Sequence, residues 1–368
     1  MWLTCAGRSE RLRAAVVVLA TGAMERPVPV PGWTLPGVMT AGAVQILLKA
    51  SGLVPEGLVL AGTGPLLYLL AAQLIAAGAP PGAVLDTAAR ADEWAALRHL
   101  PAALGAEGRG LLRKGLALKG ALRRSGAPVF RRVTDVRIEG GAAAEAVRFR
   151  SFGRERLVAA GLVALHEGVI PATHITRSLG CEHAWDDAAR CFRPALDEWG
   201  RSSVPGVLVA GDLGGIGGAR AAEHAGRLAA WEALRQAGRL SAAQRDALAA
   251  PDQVALRAHL GARRLLDRMY APRAEILRPA DGVVACRCEE VTAGQVRAVA
   301  RQGCQGPNQA KAFLRAGMGP CQGRLCGPVV SELIAEARGI GVAEAGAYRI
   351  RPPLKPVTVG ELAAMDLA

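Results

Sequence analysis

The apolar positions of this chain fall into short unbroken runs separated by longer periodic stretches. Residues 15–22, Ala-Val-Val-Val-Leu-Ala-Thr-Gly, form a continuous aliphatic run that closes on a glycine. A run of this kind predicts a strand covered on both faces, as in a parallel sheet. Residues 27–37 carry Pro27, Pro29, Pro31, Gly32, Pro36 and Gly37, which predict an irregular crossover. A helix is expected over 40–51, stopped by Gly52. From Leu58 the pattern reads strand, turn (Gly62-Thr-Gly64-Pro65) and helix, then a second strand at Ala83–Leu85 that ends on Asp86. That is a βαβ unit.

The later pattern is mixed. A charged helical region over 88–126 is followed by a hairpin-like stretch, 129–150. Leu157–Leu165 reads as one more apolar strand, leading to His166-Glu-Gly-Val-Ile-Pro171. Val207–Ala210 is a buried strand with Gly211 and Asp212 at its carboxyl end, and the glycine run 214–218 leads into a helix over 219–237. Residues 241–270 read as two amphipathic helices. Leu58–Ala79 holds no charged residue and has the length of a membrane span, but the glycine turn leaves a helix of about thirteen residues, too short to cross. Met1-Trp-Leu-Thr-Cys lacks the basic n-region and long apolar core of a signal peptide.

Chemistry enters with the cysteines. Cys286-Arg-Cys288 and Cys321-Gln-Gly-Arg-Leu-Cys326 are two thiol pairs separated by helix-like sequence. Four thiolates gathered at one place suit a [2Fe–2S] cluster, in which each iron takes two cysteines. A structural zinc site is the alternative, although zinc more often uses C-x2-C pairs. Thr292-Ala-Gly-Gln295 is a capping box, so a helix should begin just after Cys288. Gly303 can end it, Asn308 can cap a second helix that Gly317 ends, and Pro328 suits the first turn of a third. Arg287 and Arg324 lie inside the two loops and can offset an anionic cluster, or be solvated surface cations. Cys5, Cys181, Cys191 and Cys304 show no ligand spacing and read as ordinary thiols in a reducing compartment.

Composition narrows the options. With 368 residues and 51% apolar content the chain can build two or three cored domains. Its formal charge of +13 is arginine scattered among alanine and glycine. The densest basic stretch, Arg113–Arg132, has no stacking residue beyond Phe130, which argues against nucleic acid.

Gly62 and Gly64 match the first two glycines of a dinucleotide turn, but Leu67 stands at the third position. Asp86 lies where an acid can bind ribose, or can cap the following turn. Asp212 with its glycine run can hold flavin hydroxyls and admit a phosphate, and Thr21-Gly22 matches a turn flanking a dinucleotide. His166, His174, His183 and His224 have no partner at motif spacing, so no catalytic residue is assigned.

Taken in order, these segments resemble one family. It is the flavin- and cluster-binding alpha subunit of heteromeric amine dehydrogenases: the opine oxidase A-subunit, the hydrogen cyanide synthase B-subunit, and the alpha subunits of proline and hydroxyproline dehydrogenases. The likeness runs from about Val16 to the end. It rests on Ala20–Pro27, Pro31–Val38, Gly62–Leu66, Gly211-Asp212, Cys286–Glu290, Gly317–Cys326 and Arg351–Pro356. The cysteine portion resembles bacterioferritin-associated ferredoxin. The resemblance implies an α/β fold with two Rossmann-like nucleotide-binding domains, one inserted in the other, followed by a small helical [2Fe–2S] domain.

The expected boundaries are 1–57 for an incomplete FAD-binding part, 58–150 for an inserted NAD(P)-type domain and 151–240 for the return. A helical linker over 241–282, a cluster domain over 283–340 and a tail over 341–368 follow. Cys286, Cys288, Cys321 and Cys326 would hold the cluster. Thr21, Gly22, Gly62, Gly64, Asp86, Gly211 and Asp212 would touch nucleotides. The family's opening strand, G-x-G-x-x-G turn and helix, within about a hundred residues that hold the ADP half of FAD, have no counterpart here. FAD is therefore expected of the complete domain, and Val16–Ala20 should present an open apolar edge.

The reading is an electron-transfer subunit of an amino-acid or opine-type dehydrogenase, in the cytoplasm or at a membrane only through partners. A second flavoprotein subunit would carry the amine-oxidising site. The rivals are a free-standing NAD(P)H-dependent reductase and a non-catalytic four-cysteine metal module.

Overall fold

The structure is a computed structural model that describes residues 2–5 and 7–365. Trp2–Cys5 (β1) and Arg8–Arg11 (β2) pair as an antiparallel hairpin. The aliphatic run gives β3 (Val17–Leu19), and β4 (Ala23–Glu25) follows a turn in which Gly22 has φ +67°. The proline-rich stretch has no regular element, since proline offers no N–H to a ladder. β5 (Val38–Thr40) leads into α1 (Ala41–Ser51), capped by the Thr40 hydroxyl and closed by Gly52 in the left-handed region.

The βαβ unit is β6 (Val59–Thr63), α2 (Pro65–Ala76) and β7 (Ala83–Asp86). Helices α3 (Arg90–Ala96), α4 (Leu100–Ala103) and α5 (Ala106–Arg124) follow. Then come β8 (Val129–Phe130), β9 (Val133–Glu139), β10 (Ala146–Ser151), β11 (Arg154–Ala159) and β12 (Val163–Glu167).

Strands β5-β12-β6-β7-β8 form one parallel sheet, with Val163 opposite both Val38 and Val59. Leu67, Leu70 and Leu74 of α2 and Leu122 of α5 cover one face. Phe149 and Val147, from the antiparallel sheet β11-β10-β9, cover the other. Burial on both faces explains the unbroken apolar runs. The chain leaves β6 toward β7 and β8, while β12 and β5 lie on the other side. The carboxyl ends of β6 and β12 therefore flank a switch point, where open α/β sheets bind ligands.

β5, before residue 58, and β11 and β12, after residue 150, share sheets with the strands of 58–150, and α1 packs on the same core. One expectation changes here. Leu157–Leu165 is two strands in different sheets, parted at 160–162. Leu157 is exposed on an edge, whereas Val163 is fully buried.

β13 (Val169–Pro171) pairs with β4, and α6 (His174–Ser178) precedes a hairpin of β14 (His183–Asp186) and β15 (Cys191–Pro194). β16 (Val207–Val209) runs parallel to β3, and α7 (Ala219–Gln236) packs on this two-stranded sheet. The outer edge of β3 has no strand partner among the described residues, and Val18 is 44% exposed. α8 (Ala242–Met269) is one helix through Pro251, where two were expected. Ala249 and Leu256, on either side of the proline, pack against Leu228 and Trp231 of α7. Asp252 bonds His224 Nδ1 at 2.7 Å, and these contacts offset the backbone hydrogen bond that proline removes.

After α9 (Ala274–Leu277) the cysteine module begins with β17 (Val284–Cys286) and β18 (Val291–Thr292). Three helices follow: α10 (Ala293–Arg301), α11 (Pro307–Leu314) and α12 (Gly327–Arg338). The Thr292–Gln295 capping box forms in both directions. α11 starts two residues earlier than expected, with Gly306 as cap, and ends at Arg315 in the left-handed region. Asn308 instead holds the Ala347 carbonyl and the Arg349 N–H. The module's core continues past residue 340 to Tyr348 and Ile350.

Candidate redox centre

Cys286 ends β17, Cys288 lies two residues on in the turn, Cys321 lies in the loop after α11, and Cys326 caps α12. The helix start at Cys326 points its free N–H groups at this place, which favours negative charge. Cys286 and Cys326 are 1% exposed, Cys321 is half-buried and Cys288 is exposed. The thiols meet across the two loops, Cys286 with Cys326 and Cys288 with Cys321. Among the described residues no three His, Cys, Asp or Glu side chains gather about a single point as one metal ion needs. Two pairs side by side suit a two-iron cluster, with two cysteines to each iron.

The site is prepared for anionic sulfur. The Cys326 thiol bonds Cys286 and pulls it down to about 6, against its burial, helped by the N–H groups of Gly317, Glu289 and Cys288. The Gly317 N–H lies 3.5 Å from Cys286 Sγ. The same thiol contact, with burial, pushes Cys326 up. Burial raises Cys288, and the Cys321 thiol adds to this against the Cys321 backbone, which lowers it.

Glycines bring the loops together. A Cβ on Gly319 would overlap the Cβ of Cys288. Tyr348, buried at 4% exposure, lies flat against Gly317, Gly323 and Gly327, and its hydroxyl is 3.8 Å from Cys326 Sγ. Sequence reading missed Tyr348, although so many glycines between the cysteines are the mark of a bulky group pressed against the loop. Arg324 donates to the Cys321 and Leu354 carbonyls (3.2 and 2.5 Å) and so braces the loop. Arg287 is exposed. Cys181, Cys191 and Cys304 are buried free thiols, and burial pushes Cys191 up to about 11. The side chain of Cys5 lies outside the described residues.

A second site is a cavity of about 450 Å³ between the two α/β units, in the size range of ligand pockets. Gly64, Gly211 and Asp212 line it, with Arg26, Glu167 and Asp186. Asp212 Oδ1 accepts from the N–H groups of Gly217 and Gly218, both at 2.9 Å, which shapes the entry to α7. Two buried polar atoms on the wall have no partner: Arg26 Nε and Glu167 Oε2. Glu167 Oε1 accepts from Thr87 (2.9 Å) and Arg273 (2.8 Å). Orphaned buried polar atoms in residues that line a cavity suit a polar ligand such as a nucleotide.

Thr21, Gly22, Gly62 and Asp86 do not line this cavity. Gly62 is required because a side chain there would overlap the His166 carbonyl on the neighbouring strand. The Asp86 carboxylate takes the Tyr68 hydroxyl and the Ala88 N–H, as a turn-capping aspartate does. His166 pairs with Glu25 (2.7 Å), His174 with the Gln322 carbonyl (3.2 Å) and His224 with Asp252 as above, all distant in sequence, while His183 bonds nearby Thr176 (2.9 Å).

The β14–β15 hairpin joins cavity to cluster site. Asp186, Ala188 and Ala189 face the cavity. Arg26 donates to the Ala189 and Arg190 carbonyls at 2.5 and 3.0 Å. Arg190 grips Glu332 of α12 at 2.5 and 2.6 Å, while Trp185 and Phe192 pack on the cluster module.

Residues 284–336, which carry all four of these cysteines, match the BFD-like [2Fe-2S] binding domain family. The opine oxidase A-subunit of Rhizobium meliloti (strain 1021) is 50% identical over 370 residues, covering 99% of this chain and 79% of the relative. The chain belongs to the opine oxidase A-subunit family. Other members and relatives agree. The opine oxidase A-subunit of Agrobacterium tumefaciens (strain Ach5) is 47% identical, covering 98% of this chain and 72% of the relative. Hydrogen cyanide synthase subunit HcnB of Pseudomonas aeruginosa is 35% identical, covering 97% and 77%. L-proline dehydrogenase from P. horikoshii shares the fold, with a TM-score of 0.68 and 18% identity over 98% of this chain and 61% of that one. As a member of the opine oxidase A-subunit family, the chain is an oxidoreductase electron-transfer subunit with a [2Fe–2S] domain. Among the described residues no helix is long and apolar enough to cross a membrane.

Proposed function

We propose that this chain passes electrons within an amino-acid or opine-type dehydrogenase, and that Cys286, Cys288, Cys321 and Cys326 are the ligands of its [2Fe–2S] cluster. The observation that carries this reading is the meeting of four thiols in two pairs, one of them biased toward thiolate. When bound, such a cluster supplies one-electron transfer. Gly317 and the start of α12 stabilise negative charge on the sulfurs, and Tyr348 with its glycines excludes water from Cys326.

The cavity beside Asp212 is the nucleotide site, for a flavin or for NAD(P). Gly64, Gly211 and Asp212 shape it, while Arg26 Nε and Glu167 Oε2 offer it a donor and an acceptor. Thr21, Gly22, Gly62 and Asp86 support it from outside the wall. The inserted unit is the nucleotide-binding domain, and 283–350 is the cluster domain. Amine oxidation belongs to a second flavoprotein subunit in the cytoplasm, whose electrons reach the cluster past the β14–β15 hairpin.

Affinity purification of the tagged chain, followed by anaerobic addition of substrate, tests the assignment. Copurification with a second flavoprotein, and bleaching of the cluster by an opine or amino acid, is the expected result. Bleaching by NADH with no partner present would instead establish a free-standing reductase.

A further inference from the structure

An open cleft of about 610 Å³ lies directly beside the cysteine loops. Met318 and Gln322 of the loop form one wall, Lys311 of α11 another, and Arg349 and Arg351 the rim. Arg349 and Arg351 are exposed, and none of these three cations makes an ion pair among the described residues. Other arginines at the module do pair: Arg190 with Glu332, Arg297 with Asp281 and Glu336, and Arg315 with Glu289, while Arg324 and Arg338 are held by backbone carbonyls. The unpaired set is also held in place. The Asn308 amide fixes the backbone that presents the two arginines, accepting from Arg349 N–H at 2.7 Å and donating to the Ala347 carbonyl at 3.1 Å. The Lys311 ammonium sits 4.8 Å over the ring of Tyr348, which itself touches Cys326.

Two further facts give this cleft a direction. Cys288, packed against Gly319 of the second cysteine loop, is the exposed member of the four thiols, so the centre comes nearest to solvent next to the loop that carries Met318 and Gln322 into the cleft. Met318 is 51% exposed beside the cations, an apolar contact ringed by positive charge. Of the nearby acids, Glu289 is already neutralised by Arg315, which leaves Glu290 as the opposing charge on that turn.

We propose that this cleft is the docking face for an acidic one-electron carrier protein, the acceptor of electrons from the cluster. The proposal rests on the reading of the four cysteines as cluster ligands. Carboxylates on the carrier meet Lys311, Arg349 and Arg351, and Met318 makes the central dry contact. Small, charge-steered faces of this kind give fast, weak, salt-sensitive encounters. Each encounter moves one electron from the reduced centre to the oxidised carrier, and no bond forms or breaks.

The test uses the full chain with its copurifying subunit, reduced anaerobically with dithionite. Stopped-flow reoxidation is followed with acidic cytochrome b5, basic cytochrome c and neutral benzoquinone. The cytochrome b5 rate should fall as salt rises. The Lys311→Glu/Arg349→Glu/Arg351→Glu variant should slow it by about tenfold or more at low ionic strength and leave benzoquinone unchanged. Arg349→Glu/Arg351→Glu, which alters exposed side chains alone, should give a smaller loss in the same direction.

Cytochrome b5 rates indifferent to both salt and charge reversal would overturn the proposal. So would loss of the copurifying subunit in the variant, which would make the face a subunit interface. Charge-dependent binding to phosphatidylglycerol vesicles with unchanged cytochrome b5 kinetics would overturn it in favour of a membrane. A preparation without cluster absorption before mixing would overturn the ligand reading itself and the docking face with it.

Discussion

Gly323→Ala should strip the cluster domain of much of its stability. Gly323 has φ +80°, in the left-handed region, and the new Cβ would lie 2.5 Å from Tyr348 Cδ2 and 2.9 Å from Cε2. An alanine at positive φ costs about 1–2 kcal/mol. Forcing a methyl group into a packed core adds about 1–3 kcal/mol, because Tyr348 is itself enclosed. The sum is about 2–5 kcal/mol. A unit the size of 284–350 has about 3–10 kcal/mol in all. Gly339→Ala is the control, since Gly339 has φ +67° but nothing within 4 Å of its virtual Cβ. It should cost about 1–2 kcal/mol, the strain alone. Urea unfolding, followed by cluster absorbance and far-ultraviolet circular dichroism, measures both. If Gly323→Ala unfolds within about 0.5 kcal/mol of Gly339→Ala, the packing of Tyr348 on the loop is wrong.

Other consequences are open to direct measurement. Arg190→Met leaves the buried Glu332 with only Arg278, whose Nε is 3.4 Å away, and should cost about 2–4 kcal/mol in the same unfolding assay. Arg190→Met/Glu332→Met should recover most of that loss, because no buried charge is then stranded. Asp212→Ala frees the Gly217 and Gly218 N–H groups and should lower flavin or nucleotide occupancy, read by fluorescence of the released ligand. In the cluster-free protein, ultraviolet thiolate absorbance should rise with a midpoint at about 6, from Cys286. Its folded value lies below the unfolded thiol value, so its ionised form stabilises the fold at higher pH. That contribution is lost as pH falls through about 6.

Local chemistry was readable along the chain. The Thr292–Gln295 box, the Gly52 stop and the aliphatic strands lie where their side chains dictate. Cys288 and Cys321 lie in loops and Cys326 at a helix start as read, whereas Cys286 closes strand β17. What could not be read depends on partners far apart in sequence. Arg190 and Glu332 are 142 residues apart, and Arg26 reaches 163 residues to Ala189. Their pairing follows from how the hairpin lies between two units, which no local spacing encodes. The split of Leu157–Leu165 was hidden because both halves are apolar, although Arg154-Glu155-Arg156 before it fits an exposed edge strand. Two helices were expected over 241–270, but burial of α8 against α7 on both sides of Pro251 outweighs the single hydrogen bond the proline removes.

The most direct test of the account is metal and sulfide analysis, with the visible spectrum, of the anaerobically purified chain and its Cys321→Ser variant. The account predicts about two irons and two sulfides per chain with broad visible bands, and their loss in the variant while far-ultraviolet circular dichroism persists. Zinc in place of iron, or a Cys321→Ser protein that keeps its iron, would contradict it.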